Sequence, residues 1–145
     1  MLTSNVFLNE KWALRFRAGG NFADRQDFSD HNDKEIAKGF GATLGVVRYF
    51  PYRKGNFIVG ASFDTWNMWT RWKDGLYTGS PTSGTTYNLV IQPWIHGGYL
   101  FDLCDHWNAG ASLGFGREIN AITRGDKVGE GWIGLVTVSI NYALL

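Results

Sequence analysis

The sequence predicts an all-β fold in which antiparallel strands follow one another up and down along the chain. The first observation is a period of two, because apolar residues alternate with polar or small residues over six long segments. The second is a composition of 19 glycines in 145 residues together with 16% aromatic residues, an aromatic load that excludes disorder. The third is that short and long connections alternate between the segments, as they do in a meander.

The six alternating segments each span about 10 to 15 residues, whereas strands of globular proteins are usually 5 to 6 residues long. In the first segment, Trp12, Leu14 and Phe16 share one face, and Arg15 and Arg17 share the other. The later segments repeat this alternation, with glycine and serine frequent on the second face. The segments begin at Trp12, Gly39, Phe57, Asn88, Trp107 and Trp132. Residues 3–8 are predicted to form a further, partial strand before them.

The connections predict which ends of the strands meet. Three are short and rich in turn residues, at residues 9–11, 51–55 and 102–106. Three are longer and polar, at residues 23–35, 73–86 and 122–130. We therefore expect tight turns at one end of the sheet and long loops at the other.

Charge, cysteine content and hydropathy restrict the class of protein. The 14 basic and 13 acidic residues give a net charge of +1, so a nucleic-acid partner is not expected. The single cysteine, Cys104, cannot form an internal disulfide. The sequence contains no run of about 18 apolar residues that would predict a transmembrane helix, and no signal peptide opens it. The length fits one domain, residues 1–145.

A barrel that crosses a membrane with strands needs segments of about 9 to 11 residues, apolar side chains toward lipid, a polar interior and aromatic girdles at both interfaces. The alternating segments meet these requirements, and glycines on the second face suit a narrow interior. We therefore expect an up-and-down antiparallel transmembrane β-barrel of the eight-stranded type, with about seven strands represented. The predicted girdles comprise Trp12, Phe57, Trp66, Trp69, Trp72, Trp107, Trp132 and Tyr142.

Six polar side chains on the second face are predicted to point into the barrel. They are Arg15, Arg17, Asp64, Gln92, His96 and Glu118. Charges enclosed in a narrow barrel must be paired, so we expect a structural network of ion pairs and hydrogen bonds. A proton or ion path is the functional alternative. Because side chains fill the interior of an eight-stranded barrel, no open pore is expected.

Several stretches resemble the outer-membrane β-barrel domain family, which is common in Bacteroidota. They are NVFLNEKWAL at residues 5–14, GVVRYFP at 45–51, and the turn region from GGYL at 97–100 to WNA at 107–109. The closing VSINYALL at 138–145 is similar to the C-terminal strand that the outer-membrane insertion machinery reads. The resemblance covers nearly the whole chain. It implies the outer membrane of a Gram-negative cell envelope, with outer-membrane lipid and lipopolysaccharide as partners.

The chain departs from this family in two respects. Members usually end in an aromatic residue, commonly Phe, whereas the last residue here is Leu145. Members also usually have eight strands behind a signal peptide, and a first strand is not found in this sequence. Either the sequence is a piece of a longer one, or a partner completes the barrel. A partner would favour an accessory subunit of a larger outer-membrane assembly, because an open edge invites pairing.

Two other classes of protein share some of these features. A soluble lipocalin-like or avidin-like barrel that binds a small apolar ligand has the same period, with its apolar face turned inward. A lipid-modifying outer-membrane enzyme would need a Ser–His–acid group, for which His96, Ser62, Ser112 and Asp64 are the candidates.

No metal site and no cofactor are expected. Cys104, Asp105 and His106 could each ligate zinc, but adjacent residues in a tight turn rarely converge on one ion. The function that we expect is that of an integral outer-membrane β-barrel protein with a structural, adhesive or accessory-subunit role and no catalytic residue.

Overall fold

A computed structural model describes residues 1–29 and 32–142 and places them in one antiparallel sheet. Its strands are β1 (Leu2–Asn9), β2 (Trp12–Ser29), β3 (Asn32–Pro51), β4 (Gly55–Asp74), β5 (Thr82–Cys104), β6 (Trp107–Arg124) and β7 (Gly131–Tyr142). Each strand pairs with its neighbour in sequence. The predicted all-β, up-and-down fold is therefore confirmed. Residues 143–145, the predicted end of the last strand, lie outside the described residues.

Strands β2 to β6 are longer than predicted, with 18 to 23 residues each. The prediction of a long loop at residues 23–35 is wrong for residues 23–29 and 32–35, because Arg25 pairs with Glu35 and Gln26 with Lys34 in the ladder between β2 and β3; residues 30–31 lie outside the described residues. The other two long loops shrink to residues 75–81 and 125–130. The backbone hydrogen bonds of the ladder continue into segments whose side chains are polar on both faces. Such a segment lacks the hydrophobic period that distinguishes a strand from a loop, so the sequence did not reveal these strand ends.

The sheet curls until strands that are not paired face each other. Arg25 Nη2 on β2 lies 2.7 Å from Glu118 Oε2 on β6. Arg15 Nη1, also on β2, lies 3.2 Å from His96 Nε2 on β5. Three strands separate β2 from β6 in the order of the sheet, so these contacts cross a concave interior. The fold is accordingly barrel-like.

The two faces of the curled sheet differ in polarity. On β7, Val136, Val138 and Ile140 are 72 to 80% exposed on the convex face, while Thr137 and Ser139 between them are half-buried on the concave face. A similar alternation runs through most of β2 to β6, whereas all residues of β1 except Asn5 are exposed. None of the described residues forms a helix with the length and hydrophobicity that crossing a membrane requires.

The concave interior holds two small apolar clusters with polar side chains between them. One lies near the tight turns, and its members are Ala13, Val47, Tyr49, Ile58 and Leu100. The other lies toward the long-loop end, and its members are Ala37, Trp66, Met68 and Val90. The polar network described below joins these clusters, so it is an integral part of the interior packing.

The first and last strands leave a seam. Within the described residues, β1 pairs with β2 alone and β7 with β6 alone, and no contact joins β1 to β7. Because seven strands alternate in direction, β1 and β7 run parallel to each other. Each therefore presents a free edge of backbone N–H and C=O groups.

Candidate functional site: the interior polar network

The structure places the six predicted interior residues on the concave face. Asp64, Gln92, His96 and Glu118 are buried, and Arg15 and Arg17 are half-buried. All six lie on inward positions because residues two apart on a strand share a face. Their contacts fall into three groups, centred on Asp64, on Glu118 and on His96.

Asp64 on β4 is the acceptor of the first group. Its Oδ1 accepts a hydrogen bond of 2.8 Å from Trp94 Nε1, and its Oδ2 lies 3.3 Å from Arg17 Nη2. Arg17 Nε donates to Thr43 Oγ1 at 3.2 Å, and the guanidinium carbon lies 4.8 Å from the centre of the Trp94 ring. The carboxylate and the guanidinium thus offset each other's charge inside the barrel, as burial requires.

Glu118 on β6 is the acceptor of the second group. Its Oε2 accepts from Arg25 Nη2 at 2.7 Å and from Gln92 Nε2 at 2.8 Å. Gln92 Oε1 accepts from Trp66 Nε1 at 3.1 Å. The sequence analysis missed Arg25, which it assigned to a loop. On β2 the residues with odd numbers, such as Arg15 and Arg17, point inward, and Arg25 also has an odd number. Continuing the alternation along the strand would therefore have predicted that Arg25 points into the interior.

His96 contacts arginine rather than an acid. Its Nε2 accepts from Arg15 Nη1 at 3.2 Å, since a guanidinium can only donate, and Arg15 Nε donates to Asn5 Oδ1 at 3.0 Å. Among the described residues, His96 Nδ1 and Ser62 Oγ are buried with no partner. No hydrogen bond in this part of the chain joins Ser62, His96 and Asp64. The arrangement therefore lacks the connected Ser–His–acid geometry that a hydrolase uses.

The loop of residues 125–130 lies across the long-loop end of the interior. Gly129 N donates to Glu35 Oε1 at 2.8 Å, and Asn32 Nδ2 donates to the Lys127 carbonyl at 3.1 Å. Thr86 Oγ1 donates to the Asp126 carbonyl at 2.8 Å. The loop backbone thus has partners on β3 and β5, and also on β2 and β6, and it covers this end of the barrel.

Beneath this loop the interior is nearly filled. Val128 points inward and is 6% exposed, and Asn120 Nδ2 donates to its carbonyl at 3.1 Å. A cavity of about 20 Å³ remains, lined by residues that include Arg25, Glu35 and Glu118. Such a volume accommodates about one water molecule.

Six of the eight predicted girdle residues are exposed on the convex face. They are Trp12, Phe57, Trp69, Trp107, Trp132 and Tyr142. Trp66 and Trp72 are instead on the concave face, so their predicted placement is wrong. Both occupy even positions on β4, the face of Asp64, and the residues opposite them are Gly41 and Gly84. The missing side chains of these glycines leave room for the indole rings.

Two arginines on the convex face stack on aromatic rings. The Arg48 guanidinium carbon lies 4.8 Å from the centre of Phe50 and 5.3 Å from that of Trp12. That of Arg117 lies 5.5 Å from the centre of Trp132. Aromatic faces attract cations, so these charges have local partners on an otherwise apolar surface. Sequence reasoning did not single out either arginine.

Comparisons with known proteins give no assignment by similarity. No protein-family model, no curated protein and no solved structure matches this chain.

Proposed function

We propose that this chain is an integral β-barrel protein of the bacterial outer membrane, with a structural, adhesive or accessory-subunit role and no open pore. The distribution of polarity over the two faces carries the proposal. Over the described residues the exposed convex face is largely apolar between its charged ends, and the buried concave face holds a network of charged and amide side chains. A sheet in water favours the reverse, whereas a barrel in lipid requires this arrangement.

The height of the apolar surface supports a membrane crossing. On β3 the exposed apolar stretch covers residues 40–50, and on β4 it covers residues 57–69. A tilted strand needs about 9 to 11 residues to cross a bilayer. The exposed cation within these stretches is Arg48, which stacks on Trp12 and Phe50. Further exposed charges begin beyond the apolar stretches, with Lys38 on β3 and Arg71 on β4.

The small volume left at the long-loop end of the interior supports a role without ligand storage at that end. Ligand pockets have volumes of about 300 to 1,000 Å³, far above the 20 Å³ cavity beneath the loop of residues 125–130. Asp64 and Glu118 are both engaged by cationic and amide or indole donors. We therefore assign the network to holding the barrel closed around its own side chains, rather than to catalysis.

The seam supports the accessory-subunit part of the proposal. One additional strand, antiparallel to both β1 and β7, would bring the strand number to eight, and bacterial outer-membrane barrels have even numbers. A further stretch of the same polypeptide or a partner could supply it. Purification in mild detergent tests the second source: a stoichiometric partner supports an accessory subunit, and a lone monodisperse chain counts against it.

Cysteine labelling separates the membrane barrel from a soluble one. In a Cys104→Ser background, Val138→Cys places a thiol on the convex face where the native side chain is 80% exposed. Ser80→Cys, in the exposed loop between β4 and β5, is the matched control. The protein is reconstituted into phosphatidylcholine vesicles and treated with a charged maleimide.

A lipid-facing position 138 should remain unlabelled in vesicles while position 80 reacts, and both should react after denaturation in SDS. Equal and rapid labelling at the two positions, in protein that stays folded without detergent, would refute the membrane assignment. It would make the soluble barrel the leading hypothesis. Retarded migration of the wild-type protein after boiling in SDS, compared with an unheated sample, provides an independent check of a closed barrel.

A further inference from the structure

A cluster of cations lies on the convex face just beyond the apolar stretch at the long-loop end. It consists of Lys34 and Lys38 on β3 and Arg71 and Lys73 on β4, and we call it the basic rim. Lys34 pairs directly with Lys73 across the two strands. Arg71 pairs with Ile36, which lies between Lys34 and Lys38 on the convex face of β3. Directly opposed residues have Cβ atoms about 5 Å apart and diagonal ones about 7 to 8 Å apart. Four positive charges are therefore neighbours on one small surface.

The basic rim brings four like charges together, with an exposed carboxylate beside them on β2. Within the described residues none of its four side chains forms an ion pair. Asp24, an exposed carboxylate on the same face, pairs with Ile36 and therefore lies diagonal to Lys34 and Lys38. Like charges directly opposite each other destabilise a sheet, so the Lys34–Lys73 pair costs folding free energy. An anionic ligand would relieve that repulsion.

A row of aromatic rings lies on the apolar side of the basic rim. The ring centres of Phe40 and Trp69 are 5.9 Å apart, and those of Trp69 and Tyr87 are 5.5 Å apart. Arg124 adds a cation at the far end of this row, with its guanidinium carbon 5.9 Å from the centre of Tyr87. Lys38 pairs with Trp69 in the ladder. Cations thus border an amphipathic aromatic surface, as at a membrane–water interface.

We propose that the basic rim binds the phosphorylated head group of a membrane lipid whose acyl chains lie against the aromatic row. The inference rests on the proposed membrane location and adds a defined lipid site to it. Phosphate oxygens accept hydrogen bonds from lysine ammonium groups and pair in bidentate fashion with arginine. An uncharged or zwitterionic head group would leave the repulsion between Lys34 and Lys73 in place.

Native mass spectrometry of the protein in dodecyl-maltoside micelles tests the site, with diphosphoryl lipid A as the probe. The variant Arg71→Gln/Lys73→Gln removes two charges from the basic rim. The control variant Lys11→Gln/Lys54→Gln removes two exposed charges from the tight turns at the opposite end. A cation near a membrane surface contributes about fivefold to anionic lipid affinity, so the first variant should bind roughly 30-fold more weakly. The control should match the wild type.

Equal weakening in both variants, or in neither, would overturn the basic rim as the site. Displacement of the lipid by an equal concentration of inorganic phosphate would overturn a lipid as its occupant. A second variant, Lys34→Gln/Lys38→Gln, should reproduce the loss on the neighbouring strand. The heat-dependent gel shift is measured first on every sample. Wild-type protein that stays folded without detergent would refute the membrane proposal itself, whereas protein that folds in micelles but shows no lipid preference would refute this site alone.

Discussion

Replacement of Asp64 by leucine should lower the free energy of unfolding by about 3 to 5 kcal/mol, the usual cost of removing one partner of a buried ion pair. Asp64 is 3% exposed, and the side chain of its partner Arg17 is 10% exposed. The leucine variant leaves the Arg17 charge with the neutral Thr43 hydroxyl and the Trp94 ring. It also removes the acceptor of the Trp94 indole N–H, an additional penalty of about 1 to 3 kcal/mol that overlaps with the first.

Two further variants separate the charge from the packing. Asp64→Asn keeps an oxygen that can accept from Trp94 while removing the charge, so it should cost less than the leucine variant. The double variant Arg17→Met/Asp64→Leu removes both charges of this pair, so neither is left without its partner. It should therefore be more stable than Asp64→Leu alone, which a double-mutant cycle measures as a coupling free energy.

The assay is unfolding by urea in micelles, followed by tryptophan fluorescence. Asp105→Leu is the control, because Asp105 is exposed in the tight turn between β5 and β6 and its replacement should change stability by less than about 0.5 kcal/mol. A loss below about 1 kcal/mol for Asp64→Leu would refute the assignment of Asp64 to a buried pair. So would a double variant that loses the sum of the two single losses.

Two other predictions follow from the interior packing. Gly41→Ala should lower the free energy of unfolding by about 1 to 3 kcal/mol through overpacking, because the new Cβ would lie 2.5 Å from Trp66 Cε3. Gly20→Ala is the control: its new Cβ would lie 3.7 Å from the nearest atom, the Gly39 carbonyl oxygen, so the same urea titration should show no change in stability. Glu35→Ala removes the carboxylate that accepts from Gly129 N in the loop of residues 125–130. A hydrogen bond to a charged group contributes about 1.5 to 3 kcal/mol, so trypsin should cleave after Lys127 at least tenfold faster, and an unchanged rate would contradict the role of Glu35.

The strand order and the two faces were predictable because they depend on local chemistry. Alternation of Phe16 and Arg17, or of Val138 and Ser139, indicates a strand with unlike faces wherever it occurs. Short turns between consecutive strands restrict the topology to an antiparallel meander. The strand ends were not predictable, because Arg25 and Glu35 extend the ladder through backbone bonds that their polarity does not reveal.

The inward tryptophans show how a residue-type rule can outweigh position. Trp66, Trp69 and Trp72 were all assigned to the girdle because membrane barrels concentrate tryptophan there. A spacing of three places Trp69 on the opposite face of the strand from the other two. The alternation of odd and even positions was therefore enough to separate Trp69 from the other two. The space for Trp66 and Trp72 could not be recognised locally, because the glycines that provide it lie on the neighbouring strands.

A bulge at the end of β6 also escaped prediction. Val90 pairs with Asn120 but Leu89 pairs with Ile122, so Ala121 is an extra residue in the ladder. It reverses the parity of the following positions and places Arg124 beside Tyr87 on the convex face. One inserted residue inverts every later side chain, and nothing in the local sequence marks where the insertion falls.

The sequence by itself determined the strand number, the strand order and, except beyond the bulge in β6, which side chains share a face, because a two-residue period and short connections encode these locally. Only the tertiary structure decided which interior charges meet. Arg25 reaches Glu118 and the loop of residues 125–130 reaches Glu35 across the curled sheet. These partners are about 90 residues apart in the chain. Whether such residues come into contact depends on the curvature of the sheet and on the register of every strand pair between them. No local sequence pattern specifies either of these.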